Sequence, residues 1–313
     1  MSVHLPVSIL NSPEVDTEAG HRLRVRIGYG VAILLVVAMT LYGFEYYFLD
    51  VAQRPFSPKH ALLKPGGSIG LGLGLLGTAL FLGIFLYPIR KRWEWLRRRG
   101  NTRHWLDFHV LLGLSAPFLI AFHASFKFRG VAGMAFWIMA AVALSGVVGR
   151  YLYAQIPRSL NTADLSLQEA RDEQAQLTKQ LGEQKLFAAT VLAPLFRLPG
   201  EARVRSRPLL LVLATMMYLD LLRILHIARL RFRVLGFWGR LASLGGILAS
   251  RNSEVERVVA IARRQARLSM RVLFLSRTQQ VFHLWHVIHR PFSYSFALLA
   301  LVHIAVVLLI GVR

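Results

Sequence analysis

Four histidines share one spacing in two apolar stretches of the chain. His109 and His123 lie 14 residues apart, and so do His289 and His303. In an α-helix this offset returns to within roughly 40° of the same face, about 21 Å further along the axis. Each stretch therefore predicts a helix that presents two imidazoles on one face, at two depths. An imidazole in an apolar span is costly unless it pairs, binds a metal or lines a polar cavity.

Two such helices side by side can place one imidazole from each helix on either side of a haem iron, once at each depth. The predicted topology orients both helices from inside to outside. His109 then pairs with His289 at the inner level, and His123 pairs with His303 at the outer level. A zinc site does not fit, because histidines about 21 Å apart cannot share an ion at Zn–N distances of about 2 Å.

The faces that join the paired histidines are dominated by small residues, which leave room for flat macrocycles. These residues are Gly113, Ala116, Ser293, Ala297 and Ala300, with the larger Ile120 among them. Pro117 and Pro291 can bend the two helices and re-aim the nearby ligands.

Composition places this chemistry in a membrane. The chain has 313 residues, of which 55% are hydrophobic, and several apolar segments exceed the length that an integral membrane protein needs. Cysteine is absent, which excludes disulfides, iron–sulfur clusters on the chain's own thiolates and covalent c-type haem. Any haem is therefore of the non-covalent b type, and we expect two.

The net charge of +22 comes mostly from arginine. It is typical of cytoplasmic loops and of contact with anionic membrane lipids. No motif supports nucleic acid as a partner.

Charge and hydropathy together predict an all-α membrane protein with five transmembrane helices that form a haem-binding bundle. The predicted spans are 28–49, 66–89, 105–126, 131–153 and a last one within 278–313. Seven Arg and Lys between Arg90 and Arg103 fix that short loop in the cytoplasm. The segment 1–27 is then a cytoplasmic N-terminal segment, 28–154 holds the first four spans, and Arg313 lies outside. We expect a bacterial inner membrane.

Between the fourth and fifth spans lies a basic insert, 155–277, which we predict to be helical and cytoplasmic. Pro208–Leu225 is apolar but contains Asp220 and Arg223, so we expect an interfacial or packing helix there. Glu254–Leu275 has the pattern of a basic amphipathic helix. The insert is the predicted docking surface for separate redox protein subunits.

The second predicted span contains a formal G-x-G-x-x-G, Gly72–Gly77. We reject a dinucleotide site, because neither a strand nor a βαβ unit surrounds it. Spacings such as Gly70 and Gly74 instead predict close helix packing.

Three further residues are weaker candidates for the cofactor site. His286 can bind a haem propionate, line a quinone pocket, ligate a third cofactor, or simply sit at the polar interface, and the role of the nearby His283 stays open. Arg290 and Arg150 lie at levels where they can pair with propionates, although arginines at helix ends are common.

The His-x13-His pairs on a third and a fifth span resemble the ferric-reductase-like transmembrane domain of ferric reductases and NADPH oxidases. Residues 149–153 (GRYLY) and 282–291 (FHLWHVIHRP) are similar to segments of bacterial membrane cytochromes b that accompany separate redox subunits. The resemblance covers about 105–153 and 282–312 and implies two bis-histidine haems. It departs from the ferric reductases in its long insert, and in the absence of a sixth span leading to a flavin and nicotinamide domain. We therefore expect quinol or another protein as electron donor.

We predict a membrane cytochrome b that carries electrons across the bilayer, as a subunit of a quinone- or partner-linked complex. This makes it an electron-transfer subunit rather than a stand-alone enzyme. Two alternatives stay open. One is a terminal metal-ion or oxygen reductase acting at the outer haem. The other is a haem-free scaffold that recruits partners through the insert.

Overall fold

The computed structural model of the chain describes residues 13–156, 163–184, 186–237, 239, 243, 245–246, 248–250 and 252–310. Throughout these residues the secondary structure is helical and without strands, which confirms the predicted all-α class. The predicted segment 1–27 is described only from Pro13 onward, and Arg313 lies outside the described residues. In chain order the helices are α1 Pro13–Phe48, α2 His60–Leu63, α3 Ser68–Arg92, α4 Glu94–Arg97, α5 Thr102–His123, α6 Gly130–Gln155, α7 Ala163–Glu183, α8 Ala189–Phe196, α9 Glu201–Ser206, α10 Leu209–Val234 and α11 Ser253–Ile310.

The chain divides into two compact units. The bundle unit comprises Met1–Arg150 and Val287–Arg313, and the insert unit comprises Tyr151–His286. All four predicted ligand histidines belong to the bundle unit.

Several helices are long and apolar enough to cross a membrane, as in a multi-pass membrane protein. Within the described residues six segments meet this criterion: Glu18–Phe48, His60–Arg92, Thr102–His123, Gly130–Gln155, Leu209–Val234 and Ser253–Ile310. Their outward faces carry exposed leucines, among them Leu41 at 73% and Leu144 at 70% exposure. Apolar surface on this scale is unfavourable in water and suits lipid. Leu209–Val234 is among them, so the structure has one more candidate span than the five predicted from the sequence.

The closest helix packing in the bundle unit is between α3 and α5. A Cβ at Gly77 would lie 2.3 Å from Cδ1 of Ile120, and one at Gly74 would lie 2.7 Å from the His123 ring. The His123 ring leaves no room for a side chain at Gly74, whereas the flexible end of Ile120 could shift at Gly77. Small residues at such spacings let helices approach closely. Helix α5 begins at an Asn101 cap, whose side chain accepts a hydrogen bond from the Arg103 amide.

The α5–α6 turn is held by a buried arginine on the connection that follows α1. Arg54 donates to the carbonyls of Leu49, Tyr47 and Ser125. Ser125 in turn donates to the Leu63 carbonyl at 2.7 Å. These bonds satisfy buried backbone acceptors at the point where α5 ends with His123.

In the insert unit, α10 packs beside the first half of α11. One core joins Ile227 and Leu230 to Val255 and Val258, and another joins Met216 to Met270 and Phe274. Two buried arginines on α10 each lie beside a carboxylate: Arg223 beside Asp220, and Arg231 beside Glu256.

The last helix differs from the prediction. A separate amphipathic helix over 254–275 and a separate span were expected, but Ser253–Ile310 is one 58-residue helix. Neither Gly nor Pro lies between the two patterns, and Pro291 is accommodated inside the helix. A change of hydrophobic pattern alone therefore does not end a helix.

Candidate functional site

His109 is oriented by a carbonyl of the neighbouring helix. Its Nδ1 lies 2.9 Å from the backbone oxygen of Ile84 on α3. A carbonyl can only accept a hydrogen bond, so Nδ1 must carry the proton and donate it. The lone pair of the neutral imidazole is then on Nε2, the nitrogen that can coordinate a metal.

His123 repeats this arrangement one level away. Its Nδ1 lies 2.8 Å from the backbone oxygen of Gly70, also on α3. The two acceptors, Ile84 and Gly70, are 14 residues apart, like the two histidines. Antiparallel helices α3 and α5 therefore hold both imidazoles in the same tautomer.

His289 is held through a side chain on α6. Its Nδ1 lies 2.7 Å from Oγ of Ser145, and that hydroxyl donates to the Val142 carbonyl at 2.8 Å. Because the hydroxyl proton is used in this way, Ser145 accepts the Nδ1–H of His289. A ligating histidine commonly donates its second ring N–H to a fixed acceptor, which orients the ring and raises its basicity.

His303 is the exception among the four histidines. It is half-buried, and its ring has no hydrogen bond to another described residue. It is close enough to His123 for an electrostatic interaction between the two imidazoles. His123 is the residue predicted to share the outer level with it.

The ligand face of α11 is the less exposed face of that helix in the bundle unit. His289, Ser293, Ala297, Ala300 and His303 are all half-buried, whereas the residues between them are mostly exposed. Midway along this face, Phe296 meets Phe81 of α3 edge to face, with ring centroids 5.5 Å apart.

The residues present fit a bis-histidine haem. Three of the four imidazoles already have an acceptor for Nδ1–H, an arrangement that is common among metal-ligating histidines. On the ligand face of α5, a Cβ added at the half-buried Gly113 would meet nothing within 4 Å. The same is true of Gly146, next to Ser145. These openings can accommodate the edge of a flat macrocycle.

No three His, Cys, Asp or Glu side chains converge into a metal-binding group in the part of the chain that the structure describes. Axial ligation of haem needs only two imidazoles, so the histidine pairs do not require such a group.

The weaker candidates have other contacts. Arg150 lies 2.6 Å from Asp107, so its guanidinium is engaged by a carboxylate rather than standing open for a propionate. Arg290 is exposed. His286 donates from Nδ1 to the Phe282 carbonyl of its own helix at 3.0 Å and packs on Phe282 and Trp285. His283 lines an open groove with Ser276 and Gln279.

Sequence reasoning missed a polar cluster that includes Arg150. Asp107 binds both Arg150 and the buried His21, at 2.6 and 3.1 Å. The rings of His21 and His104 stack 3.6 Å apart, and His104 pairs with Glu18 at 3.0 Å. The cluster ties α1, α5 and α6 together at the end of α5 that carries His109. No spacing rule could have found it, because its members come from three helices.

Sequence reasoning also missed the acceptors of the ligand histidines. Two of the acceptors are backbone carbonyls, which every residue has. The third, Ser145, is related to His289 by no recognisable sequence spacing. The usable signal was Pro88, four residues after Ile84.

No family model matches the chain, and no curated protein or solved structure is significantly similar to it. The resemblance to ferric-reductase-like domains and bacterial cytochromes b therefore stays a prediction.

Proposed function

We propose that this protein is a membrane cytochrome b that binds two b haems and carries electrons from one face of the bilayer to the other. His109 and His289 would hold the inner haem iron, and His123 and His303 the outer one. The haems supply the one-electron chemistry, while the chain contributes axial ligation, burial and spacing.

One observation carries the proposal: α3 presents two backbone acceptors at the same 14-residue spacing as the two histidines that donate to them. A histidine that merely fills space needs no such match at two levels. The bond from His289 to Ser145 adds a third imidazole with an occupied Nδ1.

The proposed partners follow from the same account. Electrons would come from a quinol or from separate redox subunits. The arginines of the insert, Arg263, Arg264 and Arg267, are the proposed contact for such a subunit or for anionic lipid. We place the protein in a bacterial inner membrane as an electron-transfer subunit, with the N-terminus and the insert inside.

Liposomes that contain an impermeant oxidant test the proposal. A reductant added outside should reduce the oxidant trapped inside only when the membrane contains protein with both haems. His109→Ala and His303→Ala should each block transfer while the remaining haem is still reduced from its own side.

His226→Ala is the matched control, because His226 also donates from Nδ1 to a carbonyl, that of Leu222, but lies in the insert unit. The His226→Ala protein should transfer electrons at the wild-type rate. Transfer at that rate by a protein that lacks one haem would mean that the second haem is structural.

A further inference from the structure

We propose that Pro88 is a positioning residue for the inner haem: it reserves the Ile84 carbonyl for His109 and thereby lowers the reduction potential at that level. The inference rests on the proposed function and deepens it, since it bears on the direction of electron transfer.

The geometry begins with a missing donor. Pro88 lies inside α3, where the N–H of residue 88 would normally bond to the carbonyl of residue 84. Proline has no N–H, so the helix leaves this carbonyl without its usual donor. His109 Nδ1 lies 2.9 Å from that same oxygen.

The outer level lacks this feature. His123 donates to the Gly70 carbonyl at 2.8 Å, but residue 74 is a glycine with an N–H of its own. The Gly70 oxygen is therefore shared between the helical bond and the imidazole. The Ile84 carbonyl therefore accepts a hydrogen bond from His109 alone, whereas the Gly70 carbonyl accepts one from His123 and one from the helix backbone.

This difference has an electronic consequence. A stronger acceptor at Nδ1–H makes the imidazole a more basic ligand. A more electron-donating ligand stabilises the ferric state and lowers the reduction potential. At the inner level His289 also donates, to Ser145, whereas His303 has no ring hydrogen bond to another described residue. The hydrogen-bond pattern therefore favours electron movement from the inner to the outer level.

Pro88→Ala restores the helical N–H and makes the Ile84 carbonyl a shared acceptor. In a redox titration the inner haem should shift to higher potential, and its affinity should fall about 10-fold. The outer haem of the same molecule is the internal control and should not move.

A second variant distinguishes the effect of the missing N–H from the effect of the pyrrolidine ring. Replacing residue 88 by the α-hydroxy acid counterpart of alanine removes the pyrrolidine ring but still offers no N–H. This protein should keep the wild-type inner potential. Equal shifts in both variants, or no shift with alanine, would overturn the proposal.

A haem-independent measurement distinguishes this inference from the proposed function. In haem-free protein, ¹⁵N NMR should show His109 in the Nδ1–H tautomer, with its signal assigned by loss in His109→Asn. Pro88→Ala should move the His109 Nδ1 signal toward that of His123, whose acceptor is already shared, while the His123 signal stays unchanged. An unaltered His109 signal would overturn the Pro88 role even if two haems bind. A clear change in the His109 signal, in a protein that never binds haem, would contradict the proposed cytochrome function but support the role of Pro88.

Discussion

At the scale of single residues, three of the four predicted ligand histidines have a fixed hydrogen-bond partner at Nδ1. His109 and His123 can carry the proton on that nitrogen only, because their partners are carbonyls. The ring orientation is thus set by backbone, which does not move independently of its helix. This gives the pair a preorganised geometry before any cofactor arrives.

Gly74 is the residue whose replacement should disturb one level alone. A Cβ there would lie 2.7 Å from the His123 ring, which cannot simply rotate away because Gly70 holds it. Gly74→Ala should cost about 1–3 kcal/mol by overpacking and should weaken or remove the outer haem only. The measurement is a haem count with a redox titration.

Gly72→Ala is the control for that change, since a Cβ at Gly72 meets nothing within 4 Å. Both variants gain helix propensity equally, so only the contact with His123 differs. Equal haem content in the two proteins would show that His123 is not positioned as described.

At the scale of elements, α3 is as important to the site as the two helices that carry the histidines. It supplies both carbonyl acceptors and the glycine surface on which α5 packs. Side-chain periodicity reports a helix face directly, so the sequence could predict that His109 and His123 share a face, and both contact α3. It could not predict the acceptors, because a carbonyl has no residue type. It also did not predict α11 as one helix, because an amphipathic pattern and a uniformly apolar one can follow each other without a break.

Within the insert unit, the pair of Arg231 and Glu256 should dominate the stability of the α10–α11 contact. The Arg231 side chain is 3% exposed and lies 2.6 Å from the Glu256 carboxylate. Glu256→Gln leaves a buried guanidinium without its counter-charge, and should cost about 3 kcal/mol. Hydrogen exchange of peptides from α10 and the start of α11 should rise accordingly.

Two positions away on the same helix lies the matched control. Glu254 pairs with Arg257 at 2.8 Å, but both side chains are more than 60% exposed. Glu254→Gln should change stability by less than about 1 kcal/mol. If both variants exchange alike, the insert is not held by the buried pair.

At the scale of the whole molecule, topology decides which histidines share a level. Reporter fusions at Arg99 and Arg267 should both report a cytoplasmic location, and one at Ser57 should report the outside. The short arginine-rich loop is the reason. An external signal at Arg267 would mean that Leu209–Val234 crosses the membrane, and that the pairing of His109 with His289 must be redrawn.

Counting haem in four single variants tests most directly whether the four histidines hold two haems. Purified wild-type protein should contain two non-covalent b haems per chain, with low-spin bis-imidazole spectra. His109→Ala and His289→Ala should lose the same haem, identified by its reduction potential. His123→Ala and His303→Ala should lose the other haem. Well-folded wild-type protein with no haem, or variants that do not fall into these two pairs, would contradict the account.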